Sequence, residues 1–199
     1  MKKSLYVLLT ALMTIGLVAC GAPTATTTPS IVATEIPAVV EFADPVLEAM
    51  IRSAIGQPEG DISLAQARAV TRLDLNDELQ RYLSQESKIT DINGLEAFTN
   101  LETLDLSNHA VTDISQLAGL TSLTALSLAG NPVADVSPLA GLTGLKLLIL
   151  SGSQAPDFSA LANLINLQVL LLDNSTISDL TPLVGLSNLR QLRLANTSV

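Results

Sequence analysis

The sequence is poor in the side chains on which most active sites depend. Its 199 residues contain one Cys, one His, no Trp and only 3% aromatic residues. A single Cys excludes an intrachain disulfide and a cysteine-based metal site. Because 48% of the residues are apolar but so few are aromatic, we expect an aliphatic core. Basic residues are outnumbered by acidic ones, 10 against 19, and this acidic balance argues against a nucleic-acid partner.

The first twenty residues have the pattern of an export signal. Lys2 and Lys3 precede an uncharged apolar run over residues 6–19, which is too short to span a membrane comfortably and fits a secretory signal. The run ends in the motif LVACG, which contains Cys20, the only cysteine of the chain. This motif resembles the lipobox of bacterial lipoproteins. The resemblance implies cleavage before Cys20 and lipidation of its sulfur, whereas an ordinary signal peptide with an incidental Cys is the alternative.

Residues 20–40 are rich in Thr and Pro and have no periodic apolar pattern. Such a segment cannot bury enough surface to fold, so we interpret it as a tether. Lipidation at Cys20 would place the protein in the cell envelope. The anchor would lie on the outer side of the cytoplasmic membrane or in the outer membrane, with the protein exposed to the extracellular or periplasmic space.

From Leu101 onward the sequence repeats itself every 22 residues. Seven positions of each complete unit are apolar throughout. The units begin at Leu101, Leu123, Leu145, Leu167 and Leu189. The alternation from Leu104 to Leu106, and its equivalents in later units, predicts a short strand whose leucines share one face. Since one unit cannot bury its own apolar face, the units must stack on one another.

This pattern resembles the leucine-rich repeat, in the 22-residue form of the internalin-like class. The resemblance implies an α/β solenoid with a curved parallel β-sheet, short 3₁₀ or α segments on the convex side, and an N-terminal helical cap. We divide the chain into a signal peptide (1–19), the lipidated Cys and tether (20–40), the cap (41–69), and about five repeats plus a partial sixth (70–199).

Local signals indicate where helical segments begin and end. In the cap, Asp44 is predicted to N-cap a helix that stops at Gly56, and Ser63 to begin a second helix with a capping box completed by Gln66. Within the repeats, hydroxyl side chains ahead of each returning segment are predicted N-caps, with Pro at the first helical position in two of them. These N-caps are Ser115, Ser137, Ser159 and Thr181.

Two parts of the sequence depart from the repeat. The first unit is about nine residues too long between 76 and 87, which predicts a loop projecting from one flank. The sixth unit stops at Val199 without a polar cap, so its last strand is expected to present an open edge. Copies of the chain could associate through this edge, which would give the protein a structural function.

Candidate catalytic and metal-binding residues are few. His109 occupies the position at which this repeat class usually has an asparagine, as Asn131 does, so we expect it to bind backbone groups. The column formed by Asp91, Asp113, Asp135, Asp157 and Asp179 recurs every 22 residues. We interpret these carboxylates as backbone acceptors in turns, with a calcium ladder as the alternative. No catalytic residue, metal site or cofactor is predicted, and the chain is not expected to be an enzyme.

The residues that alternate with the strand leucines should face away from the core. They are Arg72, Asp74, Thr103, Asp105, Ala125, Ser127, Leu147, Ile149, Val169, Leu171, Gln191 and Arg193. Four aliphatic members fall on two adjacent strands, and we name them the apolar block: Leu147, Ile149, Val169 and Leu171. An exposed apolar patch on a rigid face is typical of a partner site. The predicted site comprises this block together with Thr103, Asp105, Ser127 and Arg193, while self-association and repeat drift remain alternatives.

These observations predict a surface-anchored recognition module that binds a protein partner on the concave face of the solenoid. The alternative is a structural envelope protein that self-associates through its uncapped C-terminal edge.

Overall fold

The computed structural model describes residues 38–76 and 88–199. In this part of the chain, helices α1 and α2 precede strands β1 to β6. The helices are Pro45–Ile55 and Leu64–Ala69. The strands are, in order, Arg72–Asp74, Thr103–Asp105, Ala125–Ser127, Leu147–Ile149, Val169–Leu171 and Gln191–Arg193. The intervening 3₁₀ segments, here called return segments, are Leu95–Ala97, Ser115–Gly119, Ser137–Gly141, Ser159–Asn163 and Thr181–Leu183.

The strands form one parallel sheet in which each strand pairs with the next in the chain. The register follows the repeat, because Leu104 pairs with Leu126 and Leu126 pairs with Leu148, each 22 residues further on. The predicted leucine-rich-repeat solenoid is confirmed. The pairing of Arg72 with Thr103 joins residues 31 apart, which confirms that the first unit is about nine residues longer than the others.

The interior consists of stacked layers of aliphatic side chains. The leucines at the centre of β1 to β5 are buried, and so are those that open and close the units from Leu101 to Leu186, whereas Leu189, which opens the sixth unit, is half-buried. Phe98 and Phe158 are the aromatic members of this core. Burial of a leucine side chain contributes roughly 1.5–3 kcal/mol, so the repeated leucines account for the folding of a chain without a disulfide.

In four of the return segments, an aspartate of the column accepts from the first backbone N–H, and none of the predicted hydroxyl groups caps the segment. Ser137 is the first residue of its 3₁₀ segment, with Pro138 second, and its backbone N–H donates to Asp135 Oδ1 at 2.8 Å. The same contact recurs at Ser115, Ser159 and Thr181, with distances of 2.7–2.9 Å. The N-cap predictions for Ser115, Ser137, Ser159 and Thr181 were therefore wrong. A carboxylate two residues earlier is a stronger acceptor than a hydroxyl, and the predicted cap residue becomes the first residue of the segment instead.

Both helices of the N-terminal cap begin where the sequence predicts, and α1 also ends where it predicts. Asp44 caps α1 by accepting from the backbone N–H of Val46 at 2.8 Å, and the helix ends at Gly56, whose φ is +70°. Ser63 and Gln66 form the complete capping box of α2. These predictions are confirmed.

Asp44 also joins the cap to the first repeat. Its Oδ1 accepts from the N–H groups of the first turn of α1, whereas Oδ2 accepts from Thr90 N at 2.8 Å and from Asp91 N at 3.3 Å. The Thr90 hydroxyl donates to the same oxygen at 3.1 Å. Burial of Asp44 opposes its ionisation, but the hydrogen bonds from the backbone of Thr90, Val46, Asp91 and Leu47 together outweigh it and lower its pKa. One carboxylate therefore fixes the helix and the repeat to each other.

Close packing continues beside this junction. Helix α1 packs against β1, and α2 packs against the first return segment. Gly94 has a φ of +107°, and a Cβ at this position would lie 2.5 Å from Phe42 Cδ1 and 2.8 Å from the carbonyl oxygen of Glu41. Residues 38–40, predicted to be part of the tether, pair with residues 62–64 through Val39 and Ser63, so they belong to the folded part.

Several predictions fall on residues 1–37 and 77–87, outside the described residues. They are the signal peptide, the lipidation of Cys20, most of the tether and the loop of the first unit. Among the described residues, no helix is long and apolar enough to cross a membrane.

Candidate functional site

The face of the sheet that points away from the leucines, here called the concave face, has two rows of side chains. Strand register places both rows without gaps from β1 to β6. The first row runs Arg72, Thr103, Ala125, Leu147, Val169, Gln191. The second row runs Asp74, Asp105, Ser127, Ile149, Leu171, Arg193. All the predicted site residues except Cys20 therefore lie on one continuous surface.

The apolar block forms a two-by-two patch within these rows. Leu147 pairs with Val169, and Ile149 pairs with Leu171, on the adjacent strands β4 and β5. Each of these side chains is half-buried, because its neighbours on the sheet cover part of it. Branching at Cβ restricts the rotamers of Ile149 and Val169. The block is thus a pre-ordered aliphatic surface.

The polar side chains beside the block are partly used within the protein. The Ser107 hydroxyl lies 2.5 Å from Asp105 Oδ1 and 2.6 Å from the hydroxyl of Ser127. Ser127 is only 9% exposed, so its predicted contact with a partner would be small. Thr103 and Asp105 are half-buried and remain open on the concave face.

Arg193 ends the second row in an ion pair. Its Nε lies 2.9 Å from Asp173 Oδ2, and the side chain is 57% exposed. Asp173 also accepts from the backbone N–H of Ala195 at 2.8 Å, which holds the carboxylate in place. The Arg193 guanidinium beside the block is therefore held in place by Asp173, which also largely balances its charge.

At the opposite end of the same row, Asp74 and Asp105 are direct neighbours on β1 and β2. Like charges opposite each other on adjacent strands destabilise a sheet slightly. Each carboxylate accepts a hydrogen bond from the backbone two residues on, Asp74 from Asn76 N and Asp105 from Ser107 N. The second row therefore passes from two carboxylates, through the apolar block, to a balanced ion pair.

His109 replaces an asparagine of the internal ladder. Its Nδ1 accepts from the backbone N–H of Ile89 at 3.2 Å, and its Nε2 lies 2.6 Å from the carbonyl oxygen of Leu75. Since a carbonyl can only accept, Nε2 must hold the proton. Asn131 makes the equivalent pair of contacts, accepting from Val111 N at 3.0 Å and donating to Leu106 O at 2.7 Å. The predicted backbone role of His109 is confirmed.

The aspartate column also has its predicted backbone role. Each of its members accepts from the N–H two residues further on. Hydrogen bonds from the backbone and hydroxyl of Ser137 lower the pKa of Asp135, and those from the hydroxyl and backbone of Thr181 lower the pKa of Asp179. Among the described residues, no three Asp, Glu, His or Cys side chains are grouped so as to hold a metal ion.

A second ladder was missed in the sequence. Side chains just ahead of four of the five opening leucines donate to a carbonyl of the preceding coil or of α2, as when Asn166 Nδ2 donates to Thr143 O at 2.9 Å; the exception is Gly144, ahead of Leu145. The other donors are Asn100, Ser122 and Asn188. Its signal was available, because a small or amide residue precedes every opening leucine of the repeat. This ladder links the coils ahead of the strands, whereas the asparagine ladder lies after them.

The comparisons with known proteins agree with this architecture. Residues 82–119 match the family model for Leucine Rich repeats (2 copies). An internalin (inlF) from Listeria monocytogenes is 31% identical with a TM-score of 0.73, over 84% of this chain and 48% of that one. An internalin C2 (inlC2) from the same species is 30% identical with a TM-score of 0.57, over 78% of this chain and 76% of that one.

A third solved structure is the functional domain of InlJ from Listeria monocytogenes, which is 19% identical with a TM-score of 0.53. The match covers 78% of this chain and 42% of that chain, and it supports the fold alone. The chain thus spans about half the length of the inlF internalin. No curated protein sequence matches significantly. From its repeat, its parallel sheet and its likeness to the internalin solenoids, the chain belongs to the leucine-rich-repeat family.

Proposed function

We propose that the chain is a lipid-anchored recognition module of a bacterial cell envelope, which binds a protein partner on its concave face. The observation that carries this proposal is the apolar block, a patch of four aliphatic side chains in strand register on a face whose other side chains are polar except Ala125. Exposed apolar patches on regular surfaces are typical of interaction sites.

The sheet around the block is suited to binding without rearrangement. Strands β4 and β5 are paired on both sides, to β3 and β6, so their backbone groups are committed to the sheet. A pre-ordered surface loses little conformational entropy when a partner binds. Removal of the four half-buried aliphatic side chains from water would supply the main favourable contribution.

A protein fits this face better than a carbohydrate does. None of the twelve side chains of its two rows is aromatic, so the face offers no ring on which a sugar could stack. Leucine-rich-repeat folds commonly bind protein partners. We therefore expect recognition rather than catalysis, in keeping with a buried His109 whose two ring nitrogens both contact backbone groups.

The anchor rests on Cys20 and the lipobox-like motif around it. Each acyl methylene that enters the bilayer contributes about 0.8 kcal/mol, so two or three chains would hold the protein durably. Substitution Cys20→Ala should move the protein from the detergent phase to the aqueous phase in a phase-partition assay. Mass spectrometry of the wild-type N-terminus should find acyl chains on Cys20, and an unmodified residue would refute the anchor.

The partner site is tested by capture from envelope extract and culture medium. The full chain is compared with the double variant Leu147→Asp/Leu171→Asp, which places charge in the block. The matched control is Ile165→Asp/Val184→Asp, because Ile165 and Val184 are exposed aliphatic residues outside the strands, 56% and 85% exposed. Circular dichroism verifies that all three proteins are folded.

We expect a protein that binds the wild type and the control but not the block variant. If the same proteins bind all three, or if none depends on the block, the concave-face proposal is refuted. Capture of a second copy of the chain alone would assign the block to self-association.

A further inference from the structure

The concave face is polarised along its second row, and this bears on the kind of partner it fits. Asp74 and Asp105 stand at the β1–β2 end, the apolar block occupies β4 and β5, and Arg193 at β6 is paired with Asp173. Arg72, in the first row, offsets one of the two carboxylates. Among the described residues, the β1–β2 end of the face is therefore net negative, while the β6 end is nearly neutral.

We propose that the partner contributes a polypeptide segment in which aliphatic side chains cover the apolar block and a Lys or Arg side chain reaches Asp74 and Asp105. This inference rests on the proposed function and adds the chemistry and the orientation of the bound segment. The aliphatic part matches the block, and the cation matches two neighbouring carboxylates whose mutual repulsion it would relieve.

The geometry sets the spacing between these two features. Neighbouring strands lie about 4.8 Å apart, so Asp105 on β2 and the block on β4 and β5 are separated by about 10–14 Å. An extended segment crossing the strands covers this distance in three or four residues, and a helix in about seven to nine. The cation must therefore lie at that interval from the aliphatic residues, on the side toward β1.

Charge also separates a peptide from a membrane as the occupant. The chain has a net charge of −9, and the end of the face beyond the block is acidic. An anionic lipid surface would be repelled by this face, whereas a basic segment would be attracted to it. Lys146 and Arg190 precede strands β4 and β6, and so they lie at the amino ends of strands, away from the second row.

The test is selection from a random 12-residue peptide library displayed on phage, with the full chain as bait. Counter-selection uses Leu147→Asp/Leu171→Asp. Because that variant is more acidic than the wild type, it removes peptides that bind through charge alone. The affinities of the selected peptides are then measured against Asp74→Asn/Asp105→Asn, in which each amide keeps the oxygen that accepts from the backbone.

The matched control is Glu59→Gln/Asp61→Asn, which removes two negative charges from the exposed segment between α1 and α2. We expect selected peptides to combine aliphatic residues with a Lys or Arg at the stated interval. Asp74→Asn/Asp105→Asn should weaken their binding about tenfold, with the control unchanged, since each exposed ion pair contributes a few-fold. Added salt should weaken binding to the wild type more than to this variant.

Other results overturn the inference in distinguishable ways. Aliphatic peptides without a basic residue, or equal losses in both charge variants, would refute the basic–aliphatic segment and leave the proposed function intact. A library that yields no peptide dependent on the block would refute both.

Discussion

Replacement of Asp44 tests whether one side chain fixes the N-terminal cap to the repeats. Asp44 is 6% exposed and accepts from two N–H groups of α1 through Oδ1 and from Thr90 and Asp91 through Oδ2. Loss of an N-cap costs about 1 kcal/mol. Loss of the acceptor for two further backbone N–H groups costs about 1 kcal/mol each. Asp44→Ala should therefore lower the free energy of unfolding by about 3 kcal/mol.

Asp44→Asn separates the two roles. Its carbonyl oxygen can still cap α1, but its amide would face the N–H groups of Thr90 and Asp91, which are donors. We expect the free energy of unfolding to fall by about 2 kcal/mol, which places Asp44→Asn between the wild type and Asp44→Ala. Urea unfolding followed by far-ultraviolet circular dichroism measures the difference, since the chain has no Trp. The exposed Asp61→Asn serves as control and should change stability by less than about 0.5 kcal/mol.

The pH dependence follows from the lowered pKa of Asp44. A group whose pKa is depressed by folding contributes stability above the ordinary carboxyl value of 3.8 and loses it as the pH falls through the folded value. The difference in unfolding free energy between the wild type and Asp44→Asn should therefore have its full size at about pH 6 and shrink below about pH 4. A loss under about 1 kcal/mol for Asp44→Ala, or a gap that does not shrink in acid, would refute the reasoning.

Three further substitutions test the packing of the repeats by the same unfolding measurement. His109→Ala should lower the free energy of unfolding by about 2 kcal/mol, because two buried backbone groups lose their partner. His109→Asn should lower it by less than half as much, and equal losses would contradict the ladder role. Ser175→Asn should add about 1 kcal/mol, since the buried Ser175 hydroxyl has no hydrogen-bond partner and an amide can reach the backbone there; destabilisation would contradict this. Gly94→Ala should cost at least about 2 kcal/mol from its positive φ and its contacts with Phe42 and Glu41, and a neutral result would contradict the strain.

The sequence predicts the repeated elements because each is specified several times over. Leu104, Leu126 and Leu148 recur at equal spacing, so their pairing in register follows from the need to stack identical apolar faces. The caps at Asp44 and Ser63 were predictable for a different reason, since a helix N-cap depends on residues within one turn.

What the sequence did not predict depends on contacts distant in the chain or on competition between neighbours. Asp44 binds Thr90, 46 residues away, and no local pattern reveals such a pair. The cap predicted at Ser137 was displaced because Asp135 offers a better acceptor to the same turn. Ser127 was predicted to be available on the concave face, yet its hydroxyl is hydrogen-bonded to Ser107, which belongs to the preceding coil. The concave rows themselves followed from strand alternation alone.

The central claim, that a partner protein binds over the apolar block, is tested most directly by photocrosslinking in the native cell. A photoreactive amino acid is placed at position 149, within the block, or at position 165, which is exposed outside the strands. We expect irradiation to join the position-149 protein to one defined protein of the envelope or its surroundings, with no such product from position 165. No product from position 149, or the same product from both positions, would contradict the claim.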